Sequence, residues 1–296
     1  MEIPTTSVIF SSYRPAAVLK VTGEDAFSFL QGQFTQDLRP CVEEGEVAYG
    51  LWLNHKGKVQ ADSFLLLRGS EWWCVSLFSP AEDLRKHLEG FIIADDVTVE
   101  NVTNDWAGIC VLGASGPQAE AWAKACGGFV FEAGRRTGAT SFEWLYRISG
   151  DNAVDFLRAH GAAEIGAGDL ERLRIEAAIP AVPRDIGQGD LPNEGALERD
   201  AISYTKGCYL GQEVMARLKS MGQVRRRLVR VAGTGVVPVD LPAEIFADGK
   251  KCGELRSVVG TGEGFVGMAM ISLPGVTGRR LLSFSPEGAA NIVVSI

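Results

Sequence analysis

The spacing of apolar residues changes near residue 221, and this change constrains the fold more than any other feature of the chain. Before that point, strand-like and helix-like segments alternate. After it, short alternating apolar segments such as RRLVRVAG and NIVVSI are separated by Gly and Pro, a pattern typical of a small β-barrel or sandwich. A chain of 296 residues has room for about two domains. We predict one domain over 1–220 and a β-barrel over 221–296.

The order of predicted elements in the first domain repeats approximately. One series of strands and helices ends near residue 103, and a weaker series with strands at 106–113 and 142–149 follows it. The order strand–helix–strand–strand–helix–strand is the split βαβ arrangement of ferredoxin-like folds. We predict an α+β fold in which two such halves, about 1–103 and 104–220, surround one central pocket.

A long connection at 181–205 is rich in Gly, Pro, Asp and Asn. Connections of this length are uncommon in compact domains and usually either carry function or are disordered. We therefore expect functional residues in or beside this segment.

The charge and the apolar runs of the chain argue against several classes of partner. The formal net charge is −8, whereas binding to nucleic acid requires a basic face that neutralises phosphates. No apolar run approaches the roughly 20 residues that span a bilayer. The N-terminal MEIPTTSVIFSSYRP lacks the basic flank of a signal peptide. We expect no nucleic-acid or membrane partner and a cytoplasmic location.

The six cysteines include no C-x-x-C pair, and the chain has three histidines. Structural zinc sites and iron–sulfur ligand sets need closer spacing of such residues, so no metal site is predicted. A buried, inert thiol is the ordinary state of a cytosolic cysteine. We predict that state for every cysteine except Cys208.

Cys208 lies in the stretch KGCYLGQE at 206–213, two residues after Lys206 and just before a predicted helix at 211–219. A neighbouring cation and a helix N-terminus both favour a thiolate. Cys208 and Lys206 are therefore candidate catalytic residues. The alternative is an inert cysteine in a tight loop, with Lys206 and Glu213 as a solvated pair.

This stretch and several others resemble the family of YgfZ-type folate-binding proteins, whose wider superfamily includes the glycine-cleavage T-protein, an aminomethyltransferase. The resemblance covers most of 20–230 and depends on the segments FLQGQFTQDL, LNHKGKVQADSFLL, LRIEAAIPAVPRDI, LPNEGAL, KGCYLGQEVMAR and GQVRRRL. Two positions depart from the family pattern. Ala178 stands where the family often has Gly, and Ala196 stands where it has Asn.

The resemblance implies a central pocket for tetrahydrofolate or a one-carbon derivative. Glu176 would accept hydrogen bonds from adjacent pterin donors, as a carboxylate does from arginine. Its alternative is an exposed helix residue paired with Arg172 or Arg174. The other candidate folate contacts are Gln31, Gln33, Tyr209, Gln212 and Arg226, the last within the basic run 225–227; Tyr204 and Trp52 are further aromatic candidates.

Three functions compete at this point. The first is a folate-binding protein that uses Cys208 in the assembly or repair of iron–sulfur proteins, which would be its partners. The second is a T-protein-like aminomethyltransferase, which needs a carboxylate beside the folate. Asp83 lies in about the matching region, although an acidic residue that opens a helix is explained by the helix dipole. The third is a non-catalytic folate-binding scaffold in which the thiol is dispensable.

Overall fold

The computed structural model describes residues 8–43, 45–149, 153–235, 238, 240–276, 281–288 and 290–295. Its strands form two five-stranded sheets and one six-stranded sheet. Over this part of the chain, no helix is both long enough and apolar enough to cross a membrane.

The first sheet carries two helices on one face. The strands and longer helices as far as residue 101 are β1 (Ile9–Tyr13), β2 (Ala17–Thr22), α1 (Ala26–Gln33), β3 (Val47–Leu53), β4 (Val59–Arg68), β5 (Glu71–Ser76), α2 (Ala81–Glu89) and β6 (Thr98–Asn101). All of these strands except β1 belong to the first sheet. The strand order is β3-β4-β5-β2-β6. Leu30 of α1 and Leu84 of α2 pack with Trp72 and Cys74 of β5 in one buried cluster, so both helices cover the same face.

The second sheet is built in the same way. Its own elements are β7 (Trp106–Leu112), α3 (Gly116–Ala125), β8 (Phe129–Glu132), β9 (Ser141–Arg147), α4 (Ala153–Ala159) and β10 (Ala163–Glu164). The strand order is β10-β1-β7-β9-β8. Trp122 of α3 and Leu157 of α4 pack against Ile109 and Trp144 of this sheet.

Both sheets contain a ferredoxin-like unit, which confirms the predicted fold class. The four strands of such a unit lie side by side in the order fourth, first, third, second. In the first sheet these strands are β6-β2-β5-β4. In the second sheet they are β10, β7, β9 and β8, and β1 is inserted between β10 and β7. The free faces of the two sheets share a core, because successive residues of a strand point to opposite faces. Trp73 and Val75 of β5 therefore meet Trp106, Phe129 and Leu145 of the second sheet.

The N-terminal strand crosses the predicted boundary between the halves. β1 pairs antiparallel with β7 and parallel with β10, so it belongs to the second sheet, although residues before 103 were expected to belong to the first half. The pairing residues IFSSY are few and partly polar, and their partners lie far along the chain. Local pattern alone does not identify such a strand.

A long segment joins α5 (Ala167–Glu176) to α6 (Gln212–Met221). The segment packs into the molecule: its residues Val182, Leu197 and Ile202 share a buried cluster with Met215 of α6 and Met268 of the C-terminal region. This segment therefore attaches the last part of the chain to the two sheets.

Strands dominate the C-terminal region. Its elements are β11 (Arg226–Thr234), β12 (Ala243–Ala247), β13 (Lys250–Gly260), β14 (Gly264–Ser272), α7 (Leu273–Val276), β15 (Leu281–Leu282) and β16 (Ile292–Ser295). The strand order is β12-β13-β14-β11-β16-β15, and a bridge between Phe246 and Ser283 links the two edges. The sheet is thus a nearly closed barrel, as the short alternating segments predict.

Candidate functional site

A cavity of about 520 Å³ lies where the two sheets, the segment after α5 and the barrel meet. We call it the inner chamber. Tyr49 of β3 contributes its wall on the first sheet. The remaining lining comes from the loop between β8 and β9, the segment after α5 and the first barrel strand: Ala133, Gly134, Arg135, Gly138, Ala177, Ala178, Ile179, Pro180, Gly195, Ala196, Leu197, Arg199, Asp200 and Leu228.

A second cavity of about 410 Å³ adjoins the inner chamber, and we call it the outer chamber. Four residues line both chambers: Ala178, Ala196, Arg199 and Leu228. The lining residues that belong to the outer chamber alone are Asn193, Glu198, Arg227, Val229 and Arg230. Together the chambers form a cleft in which Tyr49 lines the inner chamber alone, whereas Arg227 and Arg230 line the outer chamber alone.

Ala178 and Ala196, the two departures from the family pattern, both adopt left-handed backbone conformations, with φ of 55° and 56°. Glycine, and to a lesser extent asparagine, adopts this conformation at lower cost than alanine. An alanine at either position therefore carries backbone strain. Both strained residues border both chambers.

Glu176 ends α5, immediately before the lining residues Ala177 and Ala178. Its carboxylate is 41% exposed and accepts a hydrogen bond of 3.3 Å from Arg172 Nη1. Its main-chain carbonyl accepts a hydrogen bond from Arg230 of the outer chamber. The structure thus places Glu176 beside the cleft with its carboxylate paired to Arg172. This is the alternative named in the sequence analysis, an exposed helix residue paired with a neighbouring arginine.

Arg226 lies in a different charged cluster, where the long segment contacts the barrel. Its guanidinium pairs with Asp190 at 3.1 Å and with Glu194 at 3.0 Å. Asp190 also pairs with Arg256 of β13 at 2.5 Å. Because these acidic groups are more than nine-tenths buried, they hold Arg226 in the joint between the segment and the barrel.

Cys208 is exposed, whereas the other five cysteines are buried. Burial raises the pKa of the Cys41 thiol to about 11 and that of Cys74 to about 12. Burial and the nearby Glu143 raise the pKa of Cys110 as well. Cys208 lies four residues before α6, which begins at Gln212, so the predicted helix follows it.

The ammonium of Lys206 is buried and faces α1. It donates to the main-chain oxygens of Gln31, Phe34 and Gln36 at 2.6, 2.7 and 3.0 Å. These carbonyls lie at and just beyond the C-terminus of α1, where helix carbonyls lack partners and a cation is favoured. Burial lowers the pKa of Lys206 to about 8, which leaves it protonated at neutral pH. All three of its N–H donors are used in this contact.

Two glycines fix the cysteine stretch to the β3–β4 turn. Gly211 has a φ of +84°, and a Cβ there would lie 2.9 Å from the carbonyl oxygen of Asn54. Gly57 has a φ of +68°, and its Cβ would lie 2.8 Å from Cβ of Val214. Leu210 N also donates to the oxygen of Gly32. Close backbone approach at Gly211 therefore accounts for one glycine of KGCYLGQE.

The remaining candidate ligand contacts lie near α1 and α6. Gln31 donates to Asp37 and accepts from Leu38 N, so its amide stabilises the turn after α1. Gln33 Oε1 is buried and has no hydrogen-bond partner among the described residues. Tyr209 packs in the core with its ring 5.4 Å from Lys206 Nζ. Gln212, half-buried, opens α6.

Lys206, Gln31 and Tyr209 are thus brought together, while Glu176 and Arg226 lie elsewhere. Neither chamber is lined by Gln31, Gln33, Lys206, Cys208, Tyr209 or Gln212. Among the aromatic candidates, Trp52 is fully buried and donates to Ser63 Oγ. It is therefore unavailable to a ligand. Lys219 Nζ lies 4.1 Å from the ring centroid of Tyr204.

Tyr49 is the aromatic residue that the sequence reasoning missed. Arg135 stacks on its ring at 4.4 Å, and its hydroxyl donates to Asp62 at 2.9 Å. Burial raises the pKa of Asp62, while hydrogen bonds from Ser79 and Tyr49 oppose that shift. An acidic residue inside the apolar strand VQADSFLLL was the available signal.

Asp83, the candidate base of the aminomethyltransferase alternative, lies in the first turn of α2 and is exposed. The buried face of α2 consists of Ala81, Leu84 and Leu88 and covers the outer side of the first sheet. Asp83 lines neither chamber, so the structure does not bring it to the cleft.

Two family models match the chain. The first, described as the GCVT N-terminal domain, matches residues 6–133. The second, described as the C-terminal beta-barrel domain of CAF17, matches residues 225–295. The second match covers the nearly closed barrel described above.

Named relatives and a solved structure agree with these matches. "Iron-sulfur cluster assembly factor IBA57, mitochondrial" of Mus musculus is 27% identical over 293 residues, 90% of this chain and 79% of that protein. "tRNA-modifying protein YgfZ" of Vibrio vulnificus (strain CMCP6) is 28% identical over 226 residues, 73% of this chain and 68% of that protein. The crystal structure of glycine cleavage system aminomethyltransferase T from Bartonella henselae has a TM-score of 0.78 at 19% identity, covering 98% of this chain and 86% of that one. At this identity the structural likeness concerns the fold alone.

Proposed function

The chain belongs to the GcvT-like superfamily, with a GCVT N-terminal domain and a CAF17-type barrel, and we propose that it binds a reduced folate in the inner chamber and acts in the assembly or repair of iron–sulfur proteins. The observation that carries the proposal is the cleft between the two sheets and the segment after α5. Its lining includes Ala177–Pro180, which follow Glu176, and Gly195–Leu197 of the LPNEGAL loop.

The size and the lining of the cleft support the binding of a folate. Tetrahydrofolate is the specific ligand that we propose. A volume of about 520 Å³ falls within the range of about 300–1,000 Å³ for small-molecule sites. Tyr49 and the Arg135 guanidinium, which stacks on its ring at 4.4 Å, both line the inner chamber and offer it planar groups. The pterin and benzoyl rings of folate are planar, so they suit such a wall. The carboxylates of folate suit the arginines of the outer chamber.

The iron–sulfur part of the proposal is supported by the relatives and by the thiol. Proteins named as iron–sulfur cluster assembly factors match 90% of this chain. Cys208 is exposed in a stretch held to α1 by Lys206 and to the β3–β4 turn by Gly211. A thiol held at a defined place on the surface can react with, or bind to, a partner protein. Iron–sulfur proteins or their assembly factors are the proposed partners, and the cytoplasmic location stays a prediction.

Titration with tetrahydrofolate in a calorimeter tests the ligand proposal. Ala177 lines the inner chamber with a right-handed backbone, so Ala177→Leu places three more carbons into the space without backbone strain. We expect at least about a tenfold loss of affinity. Ala125→Leu, at the exposed end of α3, is the matched control. Unchanged affinity in a folded Ala177→Leu variant would show that folate does not occupy this chamber.

Replacement of the thiol separates this function from a non-catalytic scaffold. Cys208→Ser should keep its folate affinity, because Cys208 does not line the cleft. It should fail to restore iron–sulfur enzyme activity in cells that lack the protein. Full restoration by Cys208→Ser would favour the scaffold.

A further inference from the structure

Exposed cations lie around the cysteine stretch, although the whole chain is acidic. Residues 205–230 contain seven lysines and arginines and one acidic residue, whereas the formal net charge of the chain is −8. Lys206 is buried against α1 and contributes nothing to the surface. Arg217 and Lys219 of α6 are exposed. The helix that follows Cys208 therefore presents positive charge to solvent.

The β3–β4 turn adds Lys56 to the same surface. The close contacts of Gly211 and Gly57 described above bring this turn against the start of α6. Lys56 is exposed, and its main-chain N–H donates to the side chain of Asn54 at 2.9 Å, which holds the turn in one form. Lys56 and Cys208 thus lie on segments that touch each other.

Lys219 reaches from α6 towards the segment before the cysteine. Its Nζ lies 4.1 Å from the ring centroid of Tyr204, four residues before Cys208. Because α6 has ten residues, it is about 15 Å long, so both of its exposed cations lie close to the cysteine stretch at its N-terminal end. We call Lys56, Cys208, Arg217 and Lys219 the thiol face.

The cations of the thiol face are not neutralised by the protein. Lys56, Arg217 and Lys219 form no ion pair within the described part of the chain. The exposed Lys251 of the barrel, by contrast, is paired with Glu244 at 2.7 Å. The charge of the thiol face is therefore available to a partner.

Two acidic residues near the thiol face do not cancel this charge. Glu213 is exposed in the first turn of α6, where the helix dipole favours a carboxylate. Asp37, which follows α1, is paired with Arg39 at 2.5 Å. Three cations against one carboxylate leave the thiol face positive.

A positive face around an exposed thiol suits a partner whose reacting group lies among carboxylates. Complementary charges raise the rate of association and select among partners. We propose, given the role of Cys208 proposed above, that the thiol face is the docking surface for an acidic surface of a partner protein. Lys56, Arg217 and Lys219 direct that surface to the thiol.

The charge of the whole chain favours an acidic protein over RNA at this face. RNA carries a negative charge at every phosphate along its length, so the acidic remainder of this chain, with its net charge of −8, would repel it. Carboxylates confined to one patch of a protein meet the thiol face alone.

Disulfide exchange with charged peptides tests this proposal. Each synthetic peptide carries one cysteine as a mixed disulfide with thionitrobenzoate, flanked by Glu, Gln or Lys residues. The Cys208 thiolate attacks the peptide sulfur, a peptide–Cys208 disulfide forms, and the thionitrobenzoate thiolate leaves and is measured by its absorbance. At low salt we expect the Glu peptide to react about tenfold faster than the Gln peptide and the Lys peptide to react more slowly, with differences that shrink as salt is added.

Substitution of the three cations assigns the preference to the thiol face. Combined Lys56→Gln, Arg217→Gln and Lys219→Gln should bring the rates of the three peptides together. The charge-retaining combination of Lys56→Arg, Arg217→Lys and Lys219→Arg should keep the preference for the Glu peptide. Cys208→Ser provides the blank, and thermal unfolding shows that each variant is folded.

A matched control removes three exposed cations from other parts of the surface. These lie on α3, β9 and β13, and the control combines Lys124→Gln, Arg147→Gln and Lys250→Gln. It changes the net charge by the same amount and should keep the full preference, because screening confines the effect of a surface charge to its neighbourhood.

The outcomes separate this inference from the proposed function. Equal rates for the three peptides in the unmodified protein, or a preference that survives neutralisation of the thiol face, would overturn the docking surface and leave Cys208 as a reactive thiol. Failure of Cys208 to react with any peptide would count against the proposed function itself. Retention of unfractionated tRNA on a filter, lost on neutralisation of the thiol face and accompanied by no preference among the peptides, would assign the face to RNA instead.

Discussion

The ammonium nitrogen of Lys206 lies 2.7 Å from the main-chain oxygen of Phe34, the residue that follows the last residue of α1. The chain brings these residues together across 172 positions. Lys206 thereby holds the cysteine stretch against the first helix, and its charge is shared among three carbonyls rather than directed at the thiol.

Lys206→Met should destabilise the protein strongly. It removes three charge-assisted hydrogen bonds and leaves buried carbonyls without donors, for an expected loss of about 3–5 kcal/mol. Urea unfolding measures this loss. Lys219→Met, at an exposed lysine of α6, is the control and should cost less than about 1 kcal/mol. A loss of similar size in both variants would mean that the contact with α1 contributes little.

Cys208 should react with iodoacetamide much faster than any other cysteine of the folded protein. It is exposed, whereas burial shields the other thiols and raises the pKa of Cys41 and Cys74, which lowers their thiolate fraction. We expect a difference on the order of a hundredfold or more at neutral pH. Mass spectrometry after brief alkylation measures each site. Labelling of Cys41 or Cys252 at the rate of Cys208 would remove the physical basis of a functional thiol.

Glu176→Gln should weaken folate binding if the carboxylate turns from Arg172 to the pterin. One acceptor oxygen then becomes a donor that faces a donor, for an expected loss of about 2–4 kcal/mol, or roughly thirty- to a thousandfold in affinity. Asp169→Asn is the matched control, because Asp169 lies 3.8 Å from the same Arg172 with similar exposure. Equal affinity of both variants would mean that Glu176 serves only the surface of α5.

Glycine at position 178 should stabilise the protein, and glycine at position 177 should destabilise it. Ala178 has a φ of 55°, whereas the adjacent Ala177 has a φ of −78°. A left-handed alanine costs about 1–2 kcal/mol, part of which the greater chain entropy of glycine offsets. We expect Ala178→Gly to gain about 0.5–1 kcal/mol and Ala177→Gly to lose a similar amount. Chemical denaturation of both variants measures the sign of each change in the free energy of unfolding. A change of the same sign in both variants would contradict backbone strain at Ala178.

Stability should fall below pH 6.5 in part because of His87. Burial lowers the pKa of His87 to about 4, and its ring lies near Trp52 and Phe91. Between the unfolded pKa of about 6.5 and the folded value, the unfolded chain binds a proton that the folded chain does not. His87 therefore opposes folding by about 2 kcal/mol at pH 5.

Unfolding free energies at pH 7 and pH 5 test this contribution. His87→Gln should lose about 2 kcal/mol less than the unmodified protein over that interval, while His55→Gln, at an exposed histidine, should lose as much as the unmodified protein. An identical loss in all three proteins would show that His87 is protonated in the folded state.

Periodicity predicted the fold better than it predicted the site. Helices α1, α2 and α3 and the barrel strands carry local patterns of apolar residues, so each could be read from its own segment. β8 and β10 have four and two residues, too few for a period to be recognised. β1 is defined by partners about 100 and 150 positions away, which no local window contains.

The site residues divide in a similar way. Exposure of Cys208 and the helix after it follow from the neighbouring sequence. The direction of Lys206 and the pairing of Arg226 depend on groups that only the folded chain brings near, namely the end of α1 and the acids of the long segment.

The placement of β1 has a consequence for synthesis on the ribosome. When residues up to 103 have emerged, the first sheet can pair all its strands, but β1 has neither of its neighbours, because β7 begins at Trp106 and β10 at Ala163. β1 must therefore wait, with its edges unpaired, until the second half has been translated. A nascent chain halted between the halves would present this strand to chaperones or to a neighbouring nascent chain. Burial of β1 thus depends on completion of the second half of the chain.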